Sequence, residues 1–362
     1  MFRTILLLVL LVCPSVGLCG HSGMMGMTHM MAAAAGGACS ASYGSDLFTS
    51  ANATDLGGSE TDAITGWTDS STGLDSVDTG TPYNGTYHVL GTANAGSDKF
   101  YRALGALSAS TVYRLSFWGK QDDTGAGTGE WRCSIFSTYS SGFSVGKVSF
   151  TNAGTPVYAN WTQYFLYNSL SDYFICTPNN AENDGGLYLD AASLTTATLC
   201  YGSELNTNQN AAAPSGITEV DATTGFTSYA NGIITSDATA PHDGTYAIKI
   251  VGDGTSLSAG YIDLTAAPFS LNTDGTHKYL VRFWARHVGT VDNAIVGVVN
   301  GLTTSTYTVV FTIDNAMLTY AEYGASFVAT ASSKYFIVRE SGTNNNGGLF
   351  IDSLSVKEIL SE

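Results

Sequence analysis

The chain has 362 residues, room for two domains of ordinary size. Only 12% of them are charged while 44% are hydrophobic and 41 are Gly, which excludes a charged disordered chain, a coiled coil and an array of long helices. A formal net charge of -16 repels phosphate backbones and anionic lipid headgroups, so neither nucleic acid nor a membrane surface is expected as a partner.

The first segment, residues 1–20, has the pattern of a secretory signal peptide. Arg3 precedes an apolar run from Ile5 to Val12, and Pro14, Ser15 and Gly17 form a small-residue break ahead of Cys19. That run is well short of the ~20 residues a membrane span needs, and no other stretch comes close. A secreted or cell-surface protein with no membrane span is expected; a start at Met27 or Met30 would remove the leader. Residues 21–42 form a linker rich in Met, His, Ala and Gly. Thioether and imidazole groups suit Cu(I), but no fixed spacing preorganises them, and the segment is read as a flexible linker.

Beyond the linker the chain repeats itself. YGSDL at Tyr43–Leu47 returns as YGSEL at Tyr201–Leu205. Three more blocks return in the same order, each roughly 160 residues later: Pro82–Val89 as Pro241–Ile248, Tyr113–Lys120 as Tyr279–Arg286, and Asp172–Leu194 as Lys334–Val356. The duplication divides the chain into a first domain, residues 43–199, and a second, residues 200–362. Within each, the pattern is that of strands. Tyr113, Leu115 and Phe117 alternate with Arg114, Ser116 and Trp118, while Tyr246, Ile248 and Ile250 alternate with Ala247, Lys249 and Val251. Asn84-Gly85 and Asp243-Gly244 mark turns just ahead of strands. Many short strands of this kind must close into an all-β sandwich or barrel to bury their apolar faces.

Each repeat resembles a CenC-type carbohydrate-binding module of the family 4/9 group, a galactose-binding-like β-jelly-roll. In the first repeat the matching stretches are Gly66-Trp67, Asn84–Val89, Tyr113–Lys120, Trp161–Gln163 and Leu187–Leu194. In the second they are Gly225-Phe226, Asp243–Ile250, Tyr279–Arg286 and Leu349–Val356, with no evident counterpart of the Trp-Thr pair. The resemblance implies two tandem jelly-roll β-sandwiches that bind a polysaccharide or cell-surface glycan. It also implies a structural Ca²⁺ between the first and last strands of each repeat.

The sequence has no G-x-S-x-G, H-E-x-x-H or phosphate-loop motif, and no pair of Glu residues recurs between the repeats, so no enzyme is expected. The function expected is that of a secreted, non-catalytic carbohydrate-binding protein. A structural or adhesion role on a surface, fibre or virion is the alternative, and an accessory of a glycoside hydrolase system with weak activity is the third reading. Sugar rings stack on aromatic faces set among polar groups, which makes Tyr83, Trp131, Tyr139 and Tyr158 candidates in the first repeat and Tyr229, Tyr307, Tyr320 and Tyr323 in the second. Trp131 leads, being flanked by Glu130 and Arg132, while Trp67, Trp118, Trp161 and Trp284 are assigned to the core.

Asp190 and Asp352 sit among apolar neighbours and need partners if buried. Asp46 and Glu204 on the first strands would complete the implied calcium sites. Acceptance of backbone N–H bonds at a bulge or turn is the alternative for both aspartates. Four cysteines remain after the leader, and an exported chain permits disulfides. Cys39 and Cys200 precede the two copies of the first strand, so a Cys39–Cys200 bridge closing the first repeat is expected. Cys133 and Cys176 are read as a cross-strand disulfide or two buried thiols, since Val338 replaces Cys176 in the second repeat.

Overall fold

Period-two alternation broken every few residues by Gly, Asn, Asp and Ser favours strands and turns throughout. The computed structural model describes residues 39–48, 65–69, 74–78, 80–92, 99–121, 130–136, 144–151, 157–168, 172–178, 186–208, 212–214, 219, 223–230, 232–251, 258–288, 293–303, 307–313, 317–340 and 348–362. The leader, the linker up to residue 38 and the candidate Tyr139 lie outside these residues.

Among the described residues every regular element is a strand. The first repeat contains β1 (Ser42–Tyr43), β2 (Trp67–Asp69), β3 (Leu74–Asp78), β4 (His88–Gly91), β5 (Phe100–Ala103), β6 (Val112–Gln121), β7 (Glu130–Phe136), β8 (Ser144–Thr151), β9 (Ala159–Leu166), β10 (Tyr173–Pro178) and β11 (Leu187–Thr198). The second contains β12 (Cys200–Glu204), β13 (Thr227–Tyr229), β14 (Ile233–Asp237), β15 (Ala247–Val251), β16 (Ser258–Asp263), β17 (Lys278–Val288), β18 (Ala294–Val299), β19 (Tyr307–Ile313), β20 (Ala321–Val328), β21 (Tyr335–Glu340) and β22 (Gly348–Ser361).

Each repeat is an antiparallel jelly-roll sandwich. In the first, the row β3-β4-β11-β6-β9 faces the five-stranded sheet β2-β5-β10-β7-β8; in the second, β14-β15-β22-β17-β20 faces β13-β16-β21-β18-β19. Equivalent strands hold equivalent places, with β1 added to β11 and β12 added to β22. Rings fill the space between the sheets: Phe117 meets Phe174 at 5.0 Å, and Phe283 meets Phe311 at 5.0 Å and Phe336 at 5.6 Å.

The two rows join into one sheet through their equivalent edge strands. β20 pairs antiparallel with β9, Ala325 opposite Phe165, so that Tyr164 and Ser326 face each other. These two residues are themselves equivalent in the duplication, which places a local two-fold axis between them. Tyr164 N–H donates to Ser326 Oγ at 3.0 Å, and Gln163 Nε2 donates to the Ser326 carbonyl at 2.7 Å. The Tyr164 ring is fully buried against Leu199, Leu280 and Ile359 on the outer face of the joint. The result is a 12-stranded sheet, and residues Ser40–Glu362 form one compact unit.

Cys133 and Cys176 face each other on β7 and β10 and form a disulfide between two fully buried residues. Repeat two fills the same place with Val296 opposite Val338. Cys39 and Cys200 are also each disulfide-bonded. Because repeat two supplies a packed apolar replacement, Cys133→Val with Cys176→Val should remove the cross-link with little change in packing. The bond spans 43 residues, so its loss should cost up to about 4 kcal/mol in the chain-entropy account. Guanidinium unfolding checks this: the double variant should unfold at a clearly lower midpoint, and coincident curves would contradict it.

Candidate carbohydrate-binding faces

The site is built from a bulge, a turn and a tryptophan, and it occurs twice. On β11 the pairing with β6 shifts between Asp190 and Ser193, with Ala191 at φ 49°; on β22 the pairing with β17 shifts in the same place, with Ser353 at φ 49°. Such bulges re-aim a side chain. Here they turn an aspartate under the Pro-x-x-Gly turn that precedes β4 or β15. Asp190 Oδ2 accepts the N–H groups of Tyr83 at 2.7 Å and Asn84 at 3.0 Å, and its Oδ1 accepts Ala191 N–H at 2.6 Å. Asp352 Oδ2 accepts His242 N–H at 2.7 Å and Asp243 N–H at 3.1 Å, and its Oδ1 accepts Ser353 N–H at 2.6 Å. Both aspartates are buried, an arrangement that only such donors make affordable. The turns complete themselves with Gly85 at φ 71° and Gly244 at φ 67°, where a side chain would be strained.

The clamped turn lays one ring flat on the tryptophan of the neighbouring strand. Tyr83 stacks on Trp118 with centroids 3.8 Å apart and planes 14° apart; His242 stacks on Trp284 at 3.7 Å and 13°. Trp118 and Trp284 point outward because Phe117 and Phe283, one residue earlier, point into the sandwich. A third ring stands at an angle to each stack: Tyr158 at 5.9 Å from Tyr83, and Tyr320 at 5.7 Å from His242. Cations complete the faces. Lys120 Nζ lies 4.7 Å over Tyr158 and 4.6 Å over Tyr188, while the Arg286 guanidinium lies 5.1 Å over Tyr320 and 4.2 Å over Phe350. Tyr158 OH shares a 3.1 Å hydrogen bond with Nδ1 of the buried His88.

In repeat two the face opens into a cavity of about 470 Å³, the size of a small-ligand site, with Glu204, His242, Arg282, Trp284, Glu322 and Lys357 in its wall. Arg282 Nε donates to Glu322 Oε1 at 3.1 Å, which fixes that carboxylate. Burial holds His242 below the usual histidine range, so the ring stacks as a neutral imidazole near pH ~7. Burial also pushes the Tyr320 phenol up to about 12, leaving it a proton donor. The arrangement offers flat apolar rings beside fixed hydrogen-bonding groups, the chemistry a pyranose ring requires.

No family model and no curated protein matches the chain. Among solved structures, the tandem family 22 carbohydrate-binding modules CBM22-1 and CBM22-2 of Paenibacillus barcinonensis Xyn10C align over 86% of this chain and 99% of their own, at 11% identity and a TM-score of 0.31. The CBM22-1 xylan-binding domain alone aligns over 45% of this chain and 98% of its own, at 11% identity and a TM-score of 0.32. The PBSX exported protein XepA aligns over 84% of this chain and 96% of its own, at 12% identity and a TM-score of 0.21. Likeness at this level concerns the arrangement of strands only, and nothing about the site is taken from it.

Of the expected ligand residues, the structure brings Tyr83, Tyr158 and Tyr320 to the two faces. Trp131 is a correction: it is fully buried on β7, packed 5.7 Å from Phe100. The alternation that turns Arg132 to one side of β7 turns Trp131 to the other, inward. Tyr323 is likewise interior, stacked on Phe283 at 5.5 Å, and it occupies the place of Trp161 in repeat one. Tyr229 and Tyr307 pack against Ala259, Val299 and Ile337 of the five-stranded sheet, with Arg339 Nη1 donating to Tyr307 OH at 3.1 Å, away from the stacks. Trp118 and Trp284, expected in the core, are the central rings of the faces, and so is His242, which stands in the place of Tyr83 but was not among the expected ligand residues.

At the residues expected to hold calcium, Asp190 and Asp352 turn their oxygens to backbone N–H donors. Asp46 Oδ1 accepts the N–H groups of Phe48 and Leu194, and Glu204 accepts those of Asn206 and Val356 and the Ser355 hydroxyl. Among the described residues no three His, Cys, Asp or Glu side chains are placed to hold a metal.

Burial pushes the Asp352 carboxyl up to about 6, against the three N–H bonds that favour its ionised form. The folded chain therefore binds this proton more tightly than the unfolded chain. The group's contribution to stability is full below the unfolded value of about 3.9 and is lost as pH rises through about 6. The unfolding free energy of the wild type relative to Asp352→Asn should thus fall by on the order of 2 kcal/mol between about pH 4 and pH 7. Denaturant melts of both proteins across that range measure it; a difference independent of pH would contradict the burial of an ionisable group here.

Proposed function

We propose that the protein is an exported, non-catalytic carbohydrate-binding protein whose two jelly-rolls each present one glycan-binding face. The observation that carries this is the duplicated stack: in both repeats a buried aspartate fixes a turn so that a ring lies on an outward tryptophan, with a third ring and a cation alongside. The ring differs between the repeats, Tyr83 in one and His242 in the other, while the clamp is the same in both. The motif resemblance to CenC-type modules supports the reading.

The carboxylates around the repeat-two cavity are engaged, Glu322 by Arg282, Glu204 by three donors and Asp243 by Gly244 N–H, which favours binding over acid–base chemistry. The oxidised state of four cysteines supports export, and with it the pairing of Cys39 with Cys200 expected from their duplicated positions.

Affinity electrophoresis in gels containing xylan, β-glucan or mannan tests the reading. At least one polysaccharide should retard the wild type. Trp118→Ala and Trp284→Ala should each weaken binding at their own face by on the order of 2 kcal/mol, about 30-fold. Unretarded migration in every gel would instead favour a role as a structural or adhesion unit.

A further inference from the structure

A second cavity of about 260 Å³ lies where the repeats meet, and it shares two wall residues, Trp284 and Glu322, with the larger cavity of repeat two. Its remaining wall comes from both repeats: Ala109, Ser110 and Asn168 from the first, Thr319 and Tyr320 from the second. The edge pairing of β9 with β20 explains the meeting: Asn168, just past the end of β9, lines this cavity together with Glu322 of β20. The strand spacing of about 4.8 Å then sets β9 two strands, roughly 10 Å, from Trp284 on β17. Ser110 holds a left-handed backbone at φ 58°, with its N–H bonded to the Tyr167 carbonyl at 3.0 Å. Glu322, almost fully buried and held by Arg282, stands at the junction of the two spaces as a fixed acceptor.

We propose that the two cavities form one composite trough for an unbranched polysaccharide chain, running from the His242 and Trp284 stack of repeat two, past Glu322, onto Ser110 and Asn168 of repeat one. The proposal rests on the glycan-binding reading and adds that the repeat-two site is incomplete without repeat one. A short oligosaccharide fills only the half over Trp284. A longer one crosses the joint and gains contacts from the first repeat, so affinity depends on chain length.

The test uses the full chain carrying Tyr83→Ala, which silences the exposed ring of the repeat-one face, titrated calorimetrically with xylo- and cello-oligosaccharides from disaccharide to hexasaccharide. Affinity should rise by about tenfold or more over the series. Ala109→Trp, an exposed position on the repeat-one wall, should block the far end and flatten this rise while leaving the shortest ligands unaffected. Thr319→Trp, exposed on the opposite wall, should do the same, so that misfolding of one variant does not decide the matter. A rise with length that survives both substitutions, in variants that melt like the parent, overturns the composite trough but leaves glycan binding intact. Absence of binding by the parent and by the wild type to every oligosaccharide and polysaccharide overturns both.

Discussion

The antiparallel meeting of β9 and β20 is the constraint on which the arrangement of both faces depends. Each sandwich ends its larger row in an edge strand whose unpaired N–H and C=O groups would recruit other chains. The duplication provides two copies of that edge, and a local two-fold lets each cover the other. The axis admits only one large ring: Tyr164 occupies it, and its equivalent is the small Ser326, whose hydroxyl and carbonyl satisfy groups from β9. One continuous sheet follows, so both stacks lie on the outer side of the same surface, and the loop at Ser110 is carried to the edge of the repeat-two cavity. A tandem joined only by a linker would have no such cavity.

Within each face the buried aspartate does the positioning. Three N–H donors hold each carboxylate, and the turn it fixes determines where the stacking ring lies. The frame is conserved between the repeats while the chemistry around it is not. Where repeat one has Tyr83, Ser116, Asn160 and Thr195, repeat two has His242, Arg282, Glu322 and Lys357. A tyrosine-covered face with Lys120 beside it and a face lined by ionic groups of both signs are thus built on one plan. The first suits stacking on a single ring, and the second suits multiple hydrogen bonds along a chain.

Much of the fold was legible in the sequence because strand alternation and internal repetition are local signals. The blocks at Tyr113 and Tyr279 fall on β6 and β17, and the closing blocks span β10 to β11 and β21 to β22. The site was less legible, and for a physical reason. Trp131 stood out because it lies between charges in the sequence, yet on a strand adjacent residues face opposite ways, so Arg132 marks the opposite face of the strand from the one the tryptophan uses. The same alternation, applied to Trp118 beside Phe117, would have placed Trp118 outward. For His242 the signal was the duplication, which sets it in the place of Tyr83; what the sequence did not show is that its turn is held by Asp352, 110 residues away in sequence. The same kind of long-range bond, equally invisible in the sequence, brings backbone N–H donors to both aspartates.

The central claim is that glycan meets the outward tryptophans and leaves those packed against the core untouched. The chain has 5 tryptophans, each with one indole N–H that gives a separate nuclear magnetic resonance signal. Titration of the isotopically labelled protein with a polysaccharide fragment that it binds should shift the indole signals of Trp118 and Trp284 and leave those of Trp67, Trp131 and Trp161 in place. Shifts confined to Trp131, or bound ligand with no shift at Trp118 or Trp284, would contradict the account.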